Sequence, residues 1–369
     1  MAARLLERYL LRPFEILIKG PGRFALGRII PSSKPRVFYG YERIPGRDEP
    51  ASGGIVKLQD LSEEYPNCRW RANTLYLISS CYPWTVRWQV KTARFFGAKI
   101  VLNQNGVAYP AWKPEGWEEE NQRAAWIHHR ASAVVYQSQF CRKCALEWLR
   151  ENAPEKNEVL LNPVDLETFR PVVRSIESEF TLLLAGSHQF GYRVRTALET
   201  LSALDDSYVL VVAGAYNWKG SESEAMEEAK AWARELKVED RVEFRGRYLQ
   251  SEAPDLFGTS HLLLHTKVMD PCPRLVAEAL ATGLPVVYAS SGGLPEMVSE
   301  EAGVGVVSTE NFETEEPADS RGFAVAVKKV RADYERYSRG ARVCAKERFD
   351  RKPWIEEHGK LFRSVKEGN

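Results

Sequence analysis

The stretch "HLLLHTKVMDPCPRLVAEALATGLPVVYASSGGLPE", residues 261–296, decides how the chain is read. It opens with an apolar run of strand length (261–266), passes through a loop carrying an acid and two prolines, and enters a helical pattern over about 274–282. A second buried run, "PVVYA" (285–289), and a Gly-Gly turn complete it. Strand, helix and strand at this spacing make a βαβ unit, with both strands parallel in one sheet and the loop at the carboxyl end of the first. Two acids, Asp270 and Glu278, bracket the helix start at that end.

The same rhythm runs in both directions. Upstream in this half lie the strand patterns "FTLLLAG" (180–186), "YVLVVAG" (208–214) and "RVEFRG" (241–246), with helical patterns at about 192–204 and 222–236. The first half repeats the plan with strands at 36–41, 74–79, 99–104, 133–138 and 158–162, and helices at about 54–64, 85–96, 118–130 and 139–151. Near-continuous apolar strands alternating with helices predict α/β domains with parallel sheets covered on both faces. Pro163 and Pro171 in "NPVDLETFRPVVRSIESE" (162–179) discourage a continuous helix, so the domain boundary falls there. The expected divisions are 1–35, a basic amphipathic segment; 36–170 and 171–348, two Rossmann-like domains; and 349–369, a terminal helix. Helical patterns at 322–348 and 352–365 close the chain, Pro353 suiting a helix start.

Composition narrows the classes. The 369 residues, 44% hydrophobic and 27% charged, describe a globular chain of about two domains. A net charge of +1 supplies no global field for nucleic acid, and no nucleic-acid motif is present. No run of about 18 apolar residues exists to span a membrane. The six cysteines and the lack of a signal peptide point to a reducing, cytoplasmic compartment. Cys141 and Cys144 form the only close pair; no second Cys/His pair lies at zinc spacing, and helix packing accounts for them. The first 36 residues carry eight Lys/Arg against Glu7 and Glu15, and Leu5, Leu6, Tyr9 and Leu10 can share one helical face. Such a segment, residues 1–34, suits either peripheral contact with an anionic membrane surface or packing on the domain.

Open parallel sheets bind ligands beyond the carboxyl ends of their strands, and two such domains facing each other create a central cleft. Asp270 and Glu278 lie just past such an end. The backbone N–H groups of Cys272, Arg274 and Leu275, around Pro273, then favour an anion such as a diphosphate. Glu278, a turn further in, suits the vicinal hydroxyls of a ribose, and Asp270 the hydroxyls of a sugar beyond the phosphates.

Residues 270–296 resemble the donor-site signature of GT-B glycosyltransferases, particularly glycosyltransferase family 4: two acids separated by seven residues, then "EA-x-A-x-G-x-PVV" and a "GG-x-x-E" turn. "VLLNPVDLETFRP" (159–171) is similar to that family's interdomain "NGVD-x-x-x-F-x-P", with Pro163 for Gly. Gly53-Gly54 resembles the Gly-rich turn after the first strand, whose amides face the acceptor, and residues 352–365 the helix that crosses back to the first domain. The resemblance implies a metal-independent enzyme without a cofactor. It would move a sugar from a nucleotide diphosphate sugar to the hydroxyl of a glycan, lipid-linked or small-molecule acceptor, with retention of configuration.

Departures matter too. Asp270 stands where the family usually has Glu. The "GR-x-x-x-x-KG" diphosphate clamp falls on "GSHQFGYR" (186–193), so that Gly186 is kept while Ser187 takes the Arg place and Tyr192 the Lys place. Of the available cations Arg193, Arg195, Lys267 and Arg274, Arg193 and Lys267 follow strand ends and are the expected substitutes, with His188 beside them. Asn105 occupies the place of a His near the transferred sugar; an amide orients a hydroxyl but is no general base near neutral pH. That leaves His188, His128 and His129 as outside candidates for a base, and Trp112 and Trp117 as either acceptor-stacking faces or loop anchors. The altered clamp keeps two rivals open: a non-catalytic nucleotide- or glycan-binding protein, and a nucleotide-sugar epimerase or hydrolase on the same fold.

Overall fold

The structure, a computed structural model, describes residues 18–47, 49, 51, 53–149, 152–176 and 179–367. The expected face of Leu5, Leu6, Tyr9 and Leu10 lies outside the described residues. The chain divides into two compact units: one holds the described residues up to 108 with 115–160 and 352 onward, the other 109–114 and 161–351.

The first unit contains α1 (Gly20–Ile29), β1 (Val37–Phe38), α2 (Gly53–Glu64), β2 (Thr74–Ile78), α3 (Val86–Phe95), β3 (Lys99–Gln104), α4 (Trp117–His128), β4 (Ala133–Tyr136), α5 (Gln139–Trp148) and β5 (Asn157–Val159). Its described strands are all parallel and lie in sequence order, β1-β2-β3-β4-β5. Alternation along each strand sends successive side chains to opposite faces. Val37, Tyr76, Ile78, Val101 and Val135 meet Leu58 and Leu61 of α2 on one face. The last helix, α13 (Arg351–Glu367), joins the same core through Trp354, Leu361, Phe362 and Val365, so the terminal helix returns to the first unit as expected. His358 of that helix is wholly buried, 3.0 Å from the Tyr76 hydroxyl, and burial pushes its pKa down to about 4.

The second unit is doubly wound: β6 (Phe180–His188), α6 (Gly191–Ser202), β7 (Tyr208–Tyr216), α7 (Glu222–Glu235), β8 (Val242–Phe244), α8 (Ala253–Gly258), β9 (Leu262–His265), α9 (Arg274–Ala281), β10 (Val286–Ser290), α10 (Leu294–Met297), β11 (Gly303–Val307), α11 (Ser320–Ala332) and α12 (Tyr334–Arg348). Phe180, Leu182 and Leu184 of β6 pack among α6, α7 and α11, while Leu183 and Ala185 point the other way into a core built on α8, α9 and α12. Its described strands are all parallel, in the order β11-β10-β9-β6-β7-β8. The order reverses between β6 and β9, and such a switch point is where open α/β sheets hold ligands. The first unit's described strands contain no such reversal.

Several elements differ from the sequence expectation, the short helices α8 and α10 among them. The pattern over 322–348 is two helices, parted at Asp333. The helix α1 and the strand β11 were not anticipated; both carry glycines that the packing requires, because a Cβ on Gly27 would overlap the Ala72 carbonyl and one on Gly303 the Val286 carbonyl. The Gly53-Gly54 pair is the first turn of α2 and not a free loop.

Candidate active site

At the switch point the ends of β6 and β9 converge with the start of α9. Gly186, in a left-handed conformation (φ 103°), faces Leu275 of the first turn of α9; a Cβ there would sit 3.6 Å from the Leu275 side chain. Ser187 is exposed and accepts a hydrogen bond from Asn217 Nδ2 at 3.0 Å. On α9 itself Glu278 pairs with Arg274, Nε to Oε1 2.9 Å, and both side chains are nearly buried. The sequence brought these residues to one place, and the structure places Gly186, Ser187, Arg274, Leu275 and Glu278 around the head of α9.

The donor loop that precedes α9 is held from below. The Asp270 carboxylate lies 3.2 Å from His265 Nε2 and 3.3 Å from Lys267 Nζ. Burial works against its charged form, but Lys267, then His265 and Arg193, outweigh that and keep it well below the usual carboxylate range. Met269, just before it, has φ 50°, an unusual conformation for a side chain of its size. It is kept there by the Gly-Gly turn: Met269 N–H donates to Ser291 Oγ at 3.0 Å and Gly293 N–H to the Asp270 carbonyl at 2.9 Å. Gly292 (φ 69°) lies against this peptide, where a Cβ would come 2.7 Å from the Asp270 oxygen. From the other side Tyr192, at the Lys place of the clamp, accepts the Val268 N–H at 3.2 Å. Cys272 is fixed by the interdomain motif, Asn162 Nδ2 donating to its carbonyl at 2.6 Å. Pro273 precedes the first turn in an extended conformation, as a helix entry requires.

Two expected phosphate or sugar contacts take another position. Arg193 is 3% exposed; its Nη1 donates to the Ser187 carbonyl at 2.5 Å, and its own carbonyl receives the Thr266 hydroxyl at 2.8 Å. It ties the end of β6 to the end of β9 and does not present its guanidinium to solvent. His188 is fully buried, Nε2 donating to the Ala213 carbonyl at 3.1 Å, and burial and then Arg193 push its pKa down to about 3. It is neither an open contact nor a base poised near neutral pH. His128 is also removed as a base, buried against the Tyr136 hydroxyl at 2.9 Å. Around Asp270, His265 Nδ1, His188 Nδ1 and Arg193 Nε are buried without a hydrogen-bond partner among the described residues. His265 itself escaped the sequence reading; its signal is the histidine that ends the apolar run of "HLLLHT", five positions before Asp270.

The first unit gathers a second polar cluster at the ends of its strands. Asn105 follows β3; its N–H donates to Ser79 Oγ at 2.8 Å and its Nδ2 to Ser80 Oγ at 2.6 Å. Its Oδ1 receives Gln137 Nε2 and, at 3.1 Å, Lys57 Nζ, which also donates to Asn103 at 2.9 Å. Gly54 borders the same group, since a Cβ on it would stand 2.6 Å from Cys81 Sγ and 2.9 Å from Ser80 Oγ. Gly53, one residue earlier, is open. Lys57 is 1% exposed and was missed, although Gly54, Lys57, Leu58 and Leu61 lie at helical spacing on one stripe of α2. Trp117 packs edge-on against Trp148 as an anchor. Among the described residues no group of three His, Cys, Asp or Glu is placed to hold a metal ion.

The fold is shared with solved structures: Anabaena Alr3699/HepE in complex with UDP (TM-score 0.66, 17% identity, 84% of this chain and 81% of that one). Sucrose-phosphate synthase from Thermosynechococcus elongatus (TM-score 0.68, 16% identity, 85% and 77%) and a glycosyltransferase from Rickettsia africae (TM-score 0.64, 14% identity, 89% and 85%) are also similar. No curated protein sequence matches the chain. Residues 166–340 match the family model for Glycosyl transferases group 1, so the second unit is a domain of that kind. The fold is that of GT-B glycosyltransferases, and its second unit carries the segment that matches the group 1 glycosyl transferase model.

Proposed function

We propose that the chain transfers a glycosyl group with retention of configuration, and that its donor sits at the head of α9. In this reading Glu278 binds the ribose hydroxyls, sharing its carboxylate with Arg274. The amides from Cys272 to Leu275 and the Lys267 ammonium take the diphosphate, and Gly186 and Ser187 form the wall facing it. Asp270 binds the sugar, and its low pKa keeps it an acceptor of hydroxyl protons throughout the neutral range. Arg193, His188 and His265 act beneath, holding the strand ends and Asp270 in place. Asn105, with Gly53 and Gly54, faces the acceptor hydroxyl.

The observation that carries the reading is the switch point between β6 and β9 opening onto the start of α9, with Glu278 one turn inside. With His188, His128 and His265 buried and an amide at position 105, neither these histidines nor Asn105 serves as the base at neutral pH. The leaving diphosphate oxygen is then the group that takes the acceptor proton, which suits retention. UDP-sugars are the first donors to test, because the similar Anabaena protein has been seen with UDP and with UDP-glucose. We further propose a cytoplasmic setting with peripheral contact to an anionic membrane through residues 1–34.

Incubation with UDP-, GDP- and ADP-sugars and acceptor extracts, followed by NMR of the anomeric proton, tests this. Retained configuration with nucleotide release in step with product supports the reading. Inversion overturns the proton route, and donor hydrolysis or epimerisation without acceptor overturns transfer.

A further inference from the structure

Outside both clusters, the first unit carries a basic and aromatic surface that donor and acceptor chemistry does not use. The buried side of α3 consists of Val86, Gln89, Val90, Thr92 and Ala93. Its opposite stripe reads Arg87, Trp88, Lys91, Arg94, Phe95, at the spacing of one helix face, with no acid in it, and Trp84 lies in the turn that leads into the helix. Trp84 is 58% and Phe95 77% exposed, far more than rings of that size need be. Beside the stripe lies the last turn of α4: Arg130 stacks on Trp126 at 4.3 Å, Arg87 approaches the same ring at 5.9 Å, and Lys91, Arg94, Phe95, Trp126 and Arg130 line one shallow groove of about 490 Å³.

Charge makes this surface unusual within the molecule. The chain holds 51 Lys and Arg against 50 Asp and Glu, and surface cations such as Arg195, Lys230, Arg245 and Arg336 each have an acid beside them. Arg87, Lys91, Arg94 and Arg130 make no ion pair among the described residues. The acids of α4, Glu118 to Glu120, sit in its first turn, at the far end of a 12-residue helix. The neighbouring α1 packs on α3 and adds no acid, while its Ile29 is 72% exposed beside Arg28.

We propose that this face docks on an anionic lipid surface. The cations meet headgroup phosphates, and the exposed Trp84 and Phe95 rings enter the headgroup boundary, the combination that interfacial helices use. A soluble polyanion would satisfy the guanidinium and ammonium groups but would leave those rings in water, so the lipid surface is the better match. The surface belongs to the folded first unit and is a separate inference from that made for residues 1–34; it does not depend on where the donor binds.

The test is co-sedimentation of the full chain with phosphatidylcholine vesicles, with and without phosphatidylglycerol. Binding is expected only with the anionic lipid and falls as salt rises. Arg87→Gln/Lys91→Gln/Arg94→Gln should weaken it by roughly 100-fold. Trp84→Ser/Phe95→Ser should also weaken it, whereas Arg87→Lys/Lys91→Arg/Arg94→Lys should retain it. All these positions are at the surface, so an unchanged unfolding temperature verifies the fold of each variant. Undiminished sedimentation of the triple Gln variant overturns the proposal, as does equal binding to neutral vesicles or capture by heparin without any vesicle binding.

Discussion

Glu278→Gln is the substitution in which donor binding and folding should separate. The carboxylate accepts Arg274 Nε at 2.9 Å, and in the proposed complex it also accepts the ribose hydroxyls. A hydrogen bond to a charged group is worth about 1.5–3 kcal/mol and one between neutral groups about 0.5–1.5 kcal/mol, so replacing the charge costs roughly 1–1.5 kcal/mol per hydroxyl. For two hydroxyls the loss is about 2–3 kcal/mol, a roughly 30- to 160-fold weaker nucleotide. The folding cost is smaller. An exposed (i, i+4) ion pair contributes about 0.3–0.5 kcal/mol, this pair is less exposed, and Gln still offers Arg274 an amide oxygen; about 1 kcal/mol is expected, or roughly 2–4 °C in Tm. Calorimetric titration with UDP beside thermal unfolding reads both quantities. A folded variant whose UDP affinity equals the wild type's would refute the placement of the ribose, and a large stability loss with little change in affinity would show Glu278 to be a structural partner of Arg274.

Three further outcomes follow from the packing. Gly292→Ala forces a side chain into φ 69° and against the Met269–Asp270 peptide, so it should cost about 3 kcal/mol and lower Tm by roughly 5–10 °C, with donor affinity falling in parallel; a variant with wild-type Tm and affinity would show that the turn does not hold the loop. Lys57→Met removes the ammonium that orients Asn105, and should lower the transfer rate by about tenfold with donor affinity unchanged in titration; an unaltered rate assigns Lys57 to folding alone. His188 and His358 are held near pKa 3 and 4 in the folded state, below the usual value near 6.5. Their unfolded forms bind protons that the folded forms do not, so stability is full above about pH 6.5 and declines as pH falls, by roughly 1.4 kcal/mol per pH unit for each residue. Urea unfolding between neutral pH and pH 4.5 should show that decline, with His358→Asn flattening its share; a flat profile contradicts the burial of these rings.

Much of the second unit was legible because its signals are local. The runs "FTLLLAG" and "HLLLHT", the prolines before α9 and the Gly-Gly turn each act over a few residues, and their order fixes a parallel sheet. What escaped depends on neighbours distant in sequence. Nothing near Arg193 shows that the Ser187 carbonyl and Thr266 will enclose it, so a cation after a strand end reads as a phosphate ligand when the fold uses it as a tie. His188 likewise looks available until β7 covers it. In "GVGVV" nothing local marks Gly303 as a strand residue; the strand takes a glycine there because only hydrogen fits beside the Val286 carbonyl. Lys57 could have been found: a lysine on the inward stripe of an amphipathic helix must meet polar partners, and the end of β3 supplies them.

The most direct test is a diffraction structure of the chain with UDP bound. The account predicts the diphosphate against the amides at the start of α9, within reach of Lys267, and the ribose hydroxyls on the Glu278 carboxylate. A nucleotide bound elsewhere, or with its ribose away from Glu278, contradicts it.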